Sequence, residues 1–160
     1  DIGASTGGFS DCLLQEGAAK IYAIDVGTNQ LAWKLRQDTR VIVHEQTHVL
    51  ELTKNIFAED LDLVVMDVSF ISVLKLLPHL LATLPGNWNL IILVKPQFEA
   101  GREQVQKGGL IKDEQVRAEV CERVSQFINA DGRLIVQGVI ASPILGDKGN
   151  QEFLLYARRA

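Results

Sequence analysis

Apolar residues fall in two kinds of short burst along this chain, and the alternation of the two sets out its architecture. Lys20 to Asp25, Val41 to Glu45, Asp62 to Asp67 and Asn89 to Lys95 are β-branched or aliphatic runs with polar ends, the mark of buried strands. Between them the spacing turns helical: Phe9 to Glu16 closed by Gly17, Leu31 to Arg36, and Ile71 to Leu84, where Ile71, Leu74, Leu77, Leu80, Leu81 and Leu84 share a face. A Gly-rich, charged loop from Pro96 to Lys112 precedes a helix from Glu114 to Asn129, which ends before the turn signal Asp131-Gly132. Arg133 to Ala141 and Glu152 to Arg158 are strands joined by a loop too short for a helix, which requires antiparallel pairing. The pattern predicts an α/β fold: a mostly parallel sheet covered on both faces, with one antiparallel edge element. The opening Asp1-Ile2-Gly3 reads as the last step of a strand whose earlier residues are missing, as expected of a fragment.

Composition narrows the class. The chain has 160 residues, 47% apolar and 22% charged, which suits one globular domain and excludes disordered and collagen-like chains. Sixteen Lys and Arg against 20 Asp and Glu leave a net charge of -4, so a nucleic-acid partner must be held by a local patch or by another domain. Cys12 and Cys121 are far apart and His44, His48 and His79 are not grouped with them, which suggests neither zinc nor a disulfide framework. A reducing cytoplasm fits best, since no apolar run reaches the roughly 18 residues of a membrane span and no signal peptide is visible.

The first chemical feature is the loop Asp1-Ile2-Gly3-Ala4-Ser5-Thr6-Gly7-Gly8-Phe9, with glycines where backbone bends and approaches a ligand before a helix N-terminus. It is neither GxGxxG nor a P-loop. Asp25 closes the second strand, where a carboxylate can accept both hydroxyls of a ribose. Together they point to an adenosine-type cofactor without a pyrophosphate, held by Asp1, Gly3, Ser5, Gly7, Gly8, Asp25 and Val26. Gln46-Thr47-His48, after the third strand, places Thr47 beside the adenine, with His48 equally suited to a plain packing role. The competing reading is a tight strand-to-helix turn with Asp25 as a cap.

These residues carry a resemblance. The glycine loop, Tyr22-Ala23-Ile24-Asp25-Val26-Gly27, Asp67-Val68-Ser69-Phe70-Ile71-Ser72, Leu93-Val94-Lys95-Pro96-Gln97-Phe98-Glu99, Gly101-Arg102-Glu103, Lys107-Gly108-Gly109 and Asn150-Gln151-Glu152-Phe153-Leu154 occur in the order of the TlyA (hemolysin A) family. That family resembles the FtsJ type of S-adenosylmethionine-dependent ribose methyltransferase. The resemblance implies a Rossmann-like class I methyltransferase domain over residues 1–160, N-terminally truncated, with a seven-stranded sheet whose first strand is largely missing. It also implies 2'-O-methylation of ribosomal RNA within a ribosomal subunit, S-adenosyl-L-methionine as cofactor, and an S4-like RNA-binding domain that this chain lacks. Of the family's Lys-Asp-Lys-Glu set, Asp67, Lys95 and Glu152 carry over by motif, and the first lysine belongs upstream of residue 1.

The residues support that chemistry independently. Asp67 and Lys95 end buried strands, and Glu152 begins an antiparallel one, so all three fall at the sheet edge where open α/β proteins place ligands. A ribose 2'-hydroxyl needs its proton polarised or removed and its oxygen aligned, work suited to Lys95 with Asp67 and Glu152 orienting charge. Arg102, Lys107 and Lys112 are candidate phosphate contacts; Trp33 and Trp88 are expected to pack, with base stacking as the alternative. Three other activities are weighed. Base N-methylation is suggested by the likeness of Asp67-Val68-Ser69-Phe70 to an Asp/Asn-Pro-Pro-Tyr loop, without its prolines. An NAD-dependent oxidoreductase lacks GxGxxG, and a membrane-active hemolysin would rest on the Ile71 to Leu84 helix, whose polar face has only Lys75 and His79 as basic residues.

Overall fold

The structure, a computed structural model, describes all 160 residues, the side chain of Asp147 excepted. Six strands and five helices alternate along it. Helix α1 (Gly8–Gln15) leads to β1 (Ile21–Ile24), short α2 (Trp33–Arg36) to β2 (Val41–His44), and two 3-10 turns to β3 (Leu63–Met66). Helix α3 (Val73–Thr83), β4 (Asn89–Val94), the one-turn α4 (Pro96–Glu99), α5 (Glu114–Asp131), β5 (Leu134–Ala141) and β6 (Phe153–Arg159) complete the chain. Each long element lies within a few residues of its sequence expectation.

Strands β1 and β2 pair in parallel, as do β3 and β4. The two pairs join through a single residue: Ile2 bridges Ile24 on one side and Met66 on the other, both parallel. The order across the molecule is therefore β2-β1-Ile2-β3-β4-β6-β5. Of the seven expected positions, six are strands and the third, between β1 and β3, is held by Ile2 alone.

The C-terminal hairpin lies at the sheet edge as expected, and within it β6 is the inner strand, inserted between β4 and β5 and antiparallel to both. Burial explains the choice: Leu155 and Ala157 of β6 are fully buried, whereas β5 is largely exposed and irregular around Gln137, between Val136 and Gly138. The strand with the drier alternating face takes the interior position, and the bulged one is left at the edge.

Strand β1 divides the core. Its Tyr22 and Ile24 face a cluster with Leu76, Leu77, Leu80, Val120, Val124 and Ile128 of α3 and α5, while Ile21 and Ala23 face a smaller one with Leu14 and Leu35 of α1 and α2. Helix α5 earns its place through a narrow stripe, Val120, Val124 and Ile128, four residues apart. Asp113 caps it by accepting from the Gln115 N–H at 2.9 Å, and Gly132 in the left-handed region (φ 81°) ends it. Helix α3 buries Val73, Leu76, Leu77, Leu80 and Leu81; of the stripe read from the sequence Leu77, Leu80, Leu81 and Leu84 are buried, whereas Ile71 and Leu74 are only half-buried and Val73 and Leu76 take their place.

Candidate active site

From Ile2 the chain turns through Gly3 (φ 77°), Ser5 (φ 47°) and Gly7 (φ 100°) into α1. A Cβ on Gly3 would stand 2.1 Å from the Asp67 carbonyl oxygen, and one on Gly7 2.1 Å from Leu35 Cδ1, so both glycines let the loop lie against its neighbours. Gly8 differs: its Cβ direction meets nothing within 4 Å, which leaves space open beside the first turn of α1. Asp1 Oδ2 accepts from the Ser10 N–H (3.0 Å) and the Ser10 hydroxyl (2.6 Å), fastening the start of the loop to that helix. Asp1 Oδ1 is buried without a partner, an arrangement that a cationic donor such as the amino group of a bound amino acid would relieve.

Asp25 ties this loop to the next. Its Oδ2 accepts from the Ser5 N–H at 2.8 Å and its Oδ1 from the Gly27 N–H at 2.7 Å, and each oxygen retains a lone pair for a hydroxyl donor. The Thr47 N–H donates to the Asp25 carbonyl at 3.0 Å and the Gln46 N–H to Gly27 at 3.1 Å. The Gly loop, Asp25-Val26-Gly27 and Thr47 are thus one assembly, with Val26 63% exposed on its surface. Beneath it, Glu45 accepts from the Asn29 and Gln30 N–H groups at 2.9 and 3.2 Å and pairs with Arg36. The Asn29 hydrogen bond, aided by Arg36, holds its carboxyl below the ordinary range. His48 turns out to be structural, its Nδ1 accepting from the Leu50 N–H at 3.1 Å to cap a 3-10 turn.

At the end of β3 and β4, Lys95 Nζ stands 2.6 Å from Asp67 Oδ1 and donates to Ser69 Oγ at 3.0 Å. The Asp67 contact is close but poorly aligned, so charge pairs it while Oδ1 receives no well-directed hydrogen bond. Glu152 arrives from the other direction: Val94 pairs with Phe153, and one further step of the antiparallel register sets Glu152 beside Lys95. Its side chain is buried, accepts from Gln97 Nε2 at 2.9 Å, and fills space that a Cβ on Gly146 would take. Asp67, Lys95 and Glu152 are therefore brought together at the C-terminal edge of the parallel strands, beside the glycine loop.

The segment after Lys95 is more ordered than the loop read from the sequence. Pro96 starts α4, Gln106 bridges Leu110, and Asn150 fastens both sides by accepting from the Ile111 N–H (3.0 Å) and donating to the Gly109 carbonyl (2.8 Å). Arg102, Lys107 and Lys112 lie exposed along it. Trp88 packs in the core, but Trp33 is 70% exposed, against expectation, because four-residue α2 buries only Leu35. Ser10, Ser69, Gln97 and Glu99 went unread; Ser10 lies just past the quoted glycine loop, and the other three had membership of the quoted motifs as their one signal, since each acts through a partner elsewhere in the sequence. Phe70 was likewise unread as an individual residue: it is 90% exposed at φ 66° with its ring 5.1 Å from that of Phe98.

A separate groove of about 510 Å³ opens near the starts of β1 and β3, lined by Ile2, Ile21, Tyr22, Phe57, Leu63 and others. It contains none of Asp67, Lys95 or Glu152, and convergent polar chemistry favours the opposite edge. No group of three or more His, Cys, Asp and Glu suited to a metal occurs among the described residues.

Comparison with known proteins agrees with this geometry. The FtsJ-like methyltransferase family matches residues 1–159. A candidate rRNA methyltransferase of Bacillus subtilis, YqxC, is 51% identical over 98% of this chain and 56% of its own length. The 16S/23S rRNA (cytidine-2'-O)-methyltransferase TlyA of Mycobacterium tuberculosis is 46% identical over 99% of this chain and 59% of its own. The crystal structure of a candidate hemolysin from Lactococcus lactis superposes with a TM-score of 0.94 at 46% identity, covering 100% of this chain and 76% of that one. Solved O-methyltransferases at 14–17% identity share the fold at TM-scores of 0.62–0.63, one with SAH and one with SAM bound. The chain spans 56–65% of the length of the curated relatives it matches.

Proposed function

From the premise that the chain belongs to the FtsJ-like methyltransferase family, we propose that residues 1–160 are a domain that methylates the 2'-hydroxyl of a ribose in ribosomal RNA, with S-adenosylmethionine as donor. The observation that carries the proposal is the Lys95 ammonium, held by Asp67 and Ser69 at the edge shared with the glycine loop and with Glu152 one register step away. S-adenosylmethionine, when bound, supplies an electrophilic methyl on a sulfonium. The unpartnered Asp1 Oδ1 would receive its amino group, the open side of Gly8 would leave room for it, Asp25 would take ribose hydroxyls, and Val26 and Thr47 would border the adenine. Lys95, as the neutral amine, would contact the acceptor hydroxyl and take up its proton, becoming the ammonium that Asp67 holds, as the oxygen attacks in line and the methyl leaves the sulfonium to give S-adenosylhomocysteine. Asp67 fixes Lys95 and Glu152 balances its charge, with Gln97 keeping the Glu152 carboxylate in place. Phe70 offers an exposed ring against which the acceptor's base can stack. Ribosomal RNA as substrate is carried over from the relatives' names, and a cytoplasmic setting follows from that substrate.

Base N-methylation is the second reading, favoured by Phe70 at the end of Asp67-Val68-Ser69-Phe70. The decisive experiment incubates the protein with S-adenosylmethionine and a ribosomal RNA transcript and maps the methyl group by nucleoside analysis. A 2'-O-methyl nucleoside is expected; a base-methylated one sinks the ribose assignment. Lys95→Ala should lower turnover by about 10²–10⁴-fold with S-adenosylhomocysteine affinity unchanged, and Asp25→Ala should weaken that affinity in a calorimetric titration.

A further inference from the structure

The loop after β3 and the segment after β4 run side by side, and their side chains meet in a ladder. Asp67 and Ser69 meet Lys95, Phe70 meets Phe98, and Ser72 with Val73 meets Glu99. The last rung is the tightest: Glu99 Oε2 accepts from the Ser72 hydroxyl at 2.6 Å and Oε1 from the Val73 N–H at 2.7 Å. Glu99 is also held through its backbone, its carbonyl accepting from Arg123 of α5. Its side chain is buried, with a residual exposure of 9%.

Capping α3 accounts for only part of this arrangement. Ser72 Oγ accepts from the Leu74 N–H at 3.2 Å and Glu99 takes the neighbouring Val73 N–H, but neither cap bond requires that the carboxylate come from another loop or that it also hold the Ser72 hydroxyl. A buried carboxylate is costly to keep, and burial pushes the Glu99 carboxyl up despite its two hydrogen bonds. What Glu99 adds is a bond between two loops, and those loops carry the Lys95 ammonium and the exposed Phe70 ring.

We propose that Glu99 is a positioning residue that latches the Asp67–Ser72 loop to the Lys95–Glu99 segment and thereby sets the alignment of Lys95 with Asp67 and of Phe70 with the acceptor. The proposal rests on the methyltransferase reading for its kinetic consequence and on the ladder alone for its geometric one. Glu99 touches no substrate. Gln at this position can still accept from the Val73 N–H and reach Ser72, so Glu99→Gln keeps the latch, whereas Glu99→Ala removes it.

The test compares wild type, Glu99→Gln and Glu99→Ala in steady-state methylation, in S-adenosylhomocysteine binding, and in the NMR signal of the nitrogen-15-labelled Lys95 ammonium. Glu99→Ala should lower kcat by about 10²-fold, the scale set by misplacing reacting groups by an ångström, with cofactor affinity within twofold of wild type. Glu99→Gln should restore kcat to within about fivefold, a margin on the scale of a single modest hydrogen bond. The Lys95 signal should be shifted or broadened in Glu99→Ala and preserved in Glu99→Gln. An unchanged kcat and Lys95 signal in Glu99→Ala overturns the latch, as does a kcat loss that Gln fails to rescue. If Glu99→Ala does not fold, Ser72→Ala removes the hydroxyl half of the rung together with the Leu74 cap, and Ser72→Thr, which keeps both, is its control in the same two measurements. Methyl transfer to a base would overturn the ribose reading and leave the latch comparison intact; an inactive wild type would defeat the activity and leave the Lys95 signal to decide the latch.

Discussion

At Gly3 one methyl group decides whether the glycine loop can close. A Cβ there would lie 2.1 Å from backbone, the Asp67 carbonyl, at a φ of 77°. Gly3→Ala should therefore cost about 2–4 kcal/mol, from left-handed strain plus overpacking, seen as a lower urea midpoint with unchanged slope. The glycines of this loop and Asp25 were legible from sequence because the need for positive φ and a strand-end acid leaves a local trace. Glu99 and Gln97 were not. Their partners are Ser72 and Glu152, 27 and 55 positions away, and hydrophobic periodicity carries no information about a polar contact across that separation. Phe70 shows a different limit: the sequence noted it only as the end of the Asp67-Val68-Ser69-Phe70 likeness, and its 90% exposure is visible in the structure alone.

Between the elements, the junction of α3 with α4 has its own pH signature. Burial raises the Glu99 carboxyl above its ordinary value of 4.5. A carboxyl raised on folding contributes stability that is fully present below the unfolded value and lost as pH rises through the folded one. Wild type should therefore lose thermal stability relative to Glu99→Gln as pH rises from about 4 upward, a trend read from the difference in Tm between the two proteins. The difference matters because other carboxyls oppose it: hydrogen bonds from Arg40 hold Asp38 down to about 2, and Arg133 lowers Asp131. Both are common to the two proteins and cancel. The elements themselves were well marked in the sequence, α5 by its capping Asp113 and terminal Gly132 and the strands by their apolar runs. The position of β6 was hidden, because a hairpin loop fixes the pairing of its two strands and says nothing of which one faces the rest of the sheet. Only the burial of Leu155 and Ala157 against exposed β5 settles it.

For the whole molecule, the apolar stripe of α3 bears on whether the protein acts on membranes. Val73, Leu76, Leu77, Leu80 and Leu81 are all buried against the sheet, and no helix is long and apolar enough to cross a membrane. Purified protein should release no dye from anionic liposomes while folded, and leakage that persists in Asp25→Ala would revive the lytic alternative. The sheet also sets an order in time. The last strand in chain order, β6, occupies an interior place, and Glu152 stands at its entrance. Until it inserts, β5 lacks its pairing partner and the fully buried Leu90 and Ile92 of β4 lack their cover on that side. The glycine loop and Asp25 precede β6 in sequence order, whereas the carboxylate beside Lys95 comes with that strand. On the proposed reading, the assembly of the glycine loop with Asp25 can form before Glu152 reaches Lys95, and the candidate site is complete only once β6 has inserted.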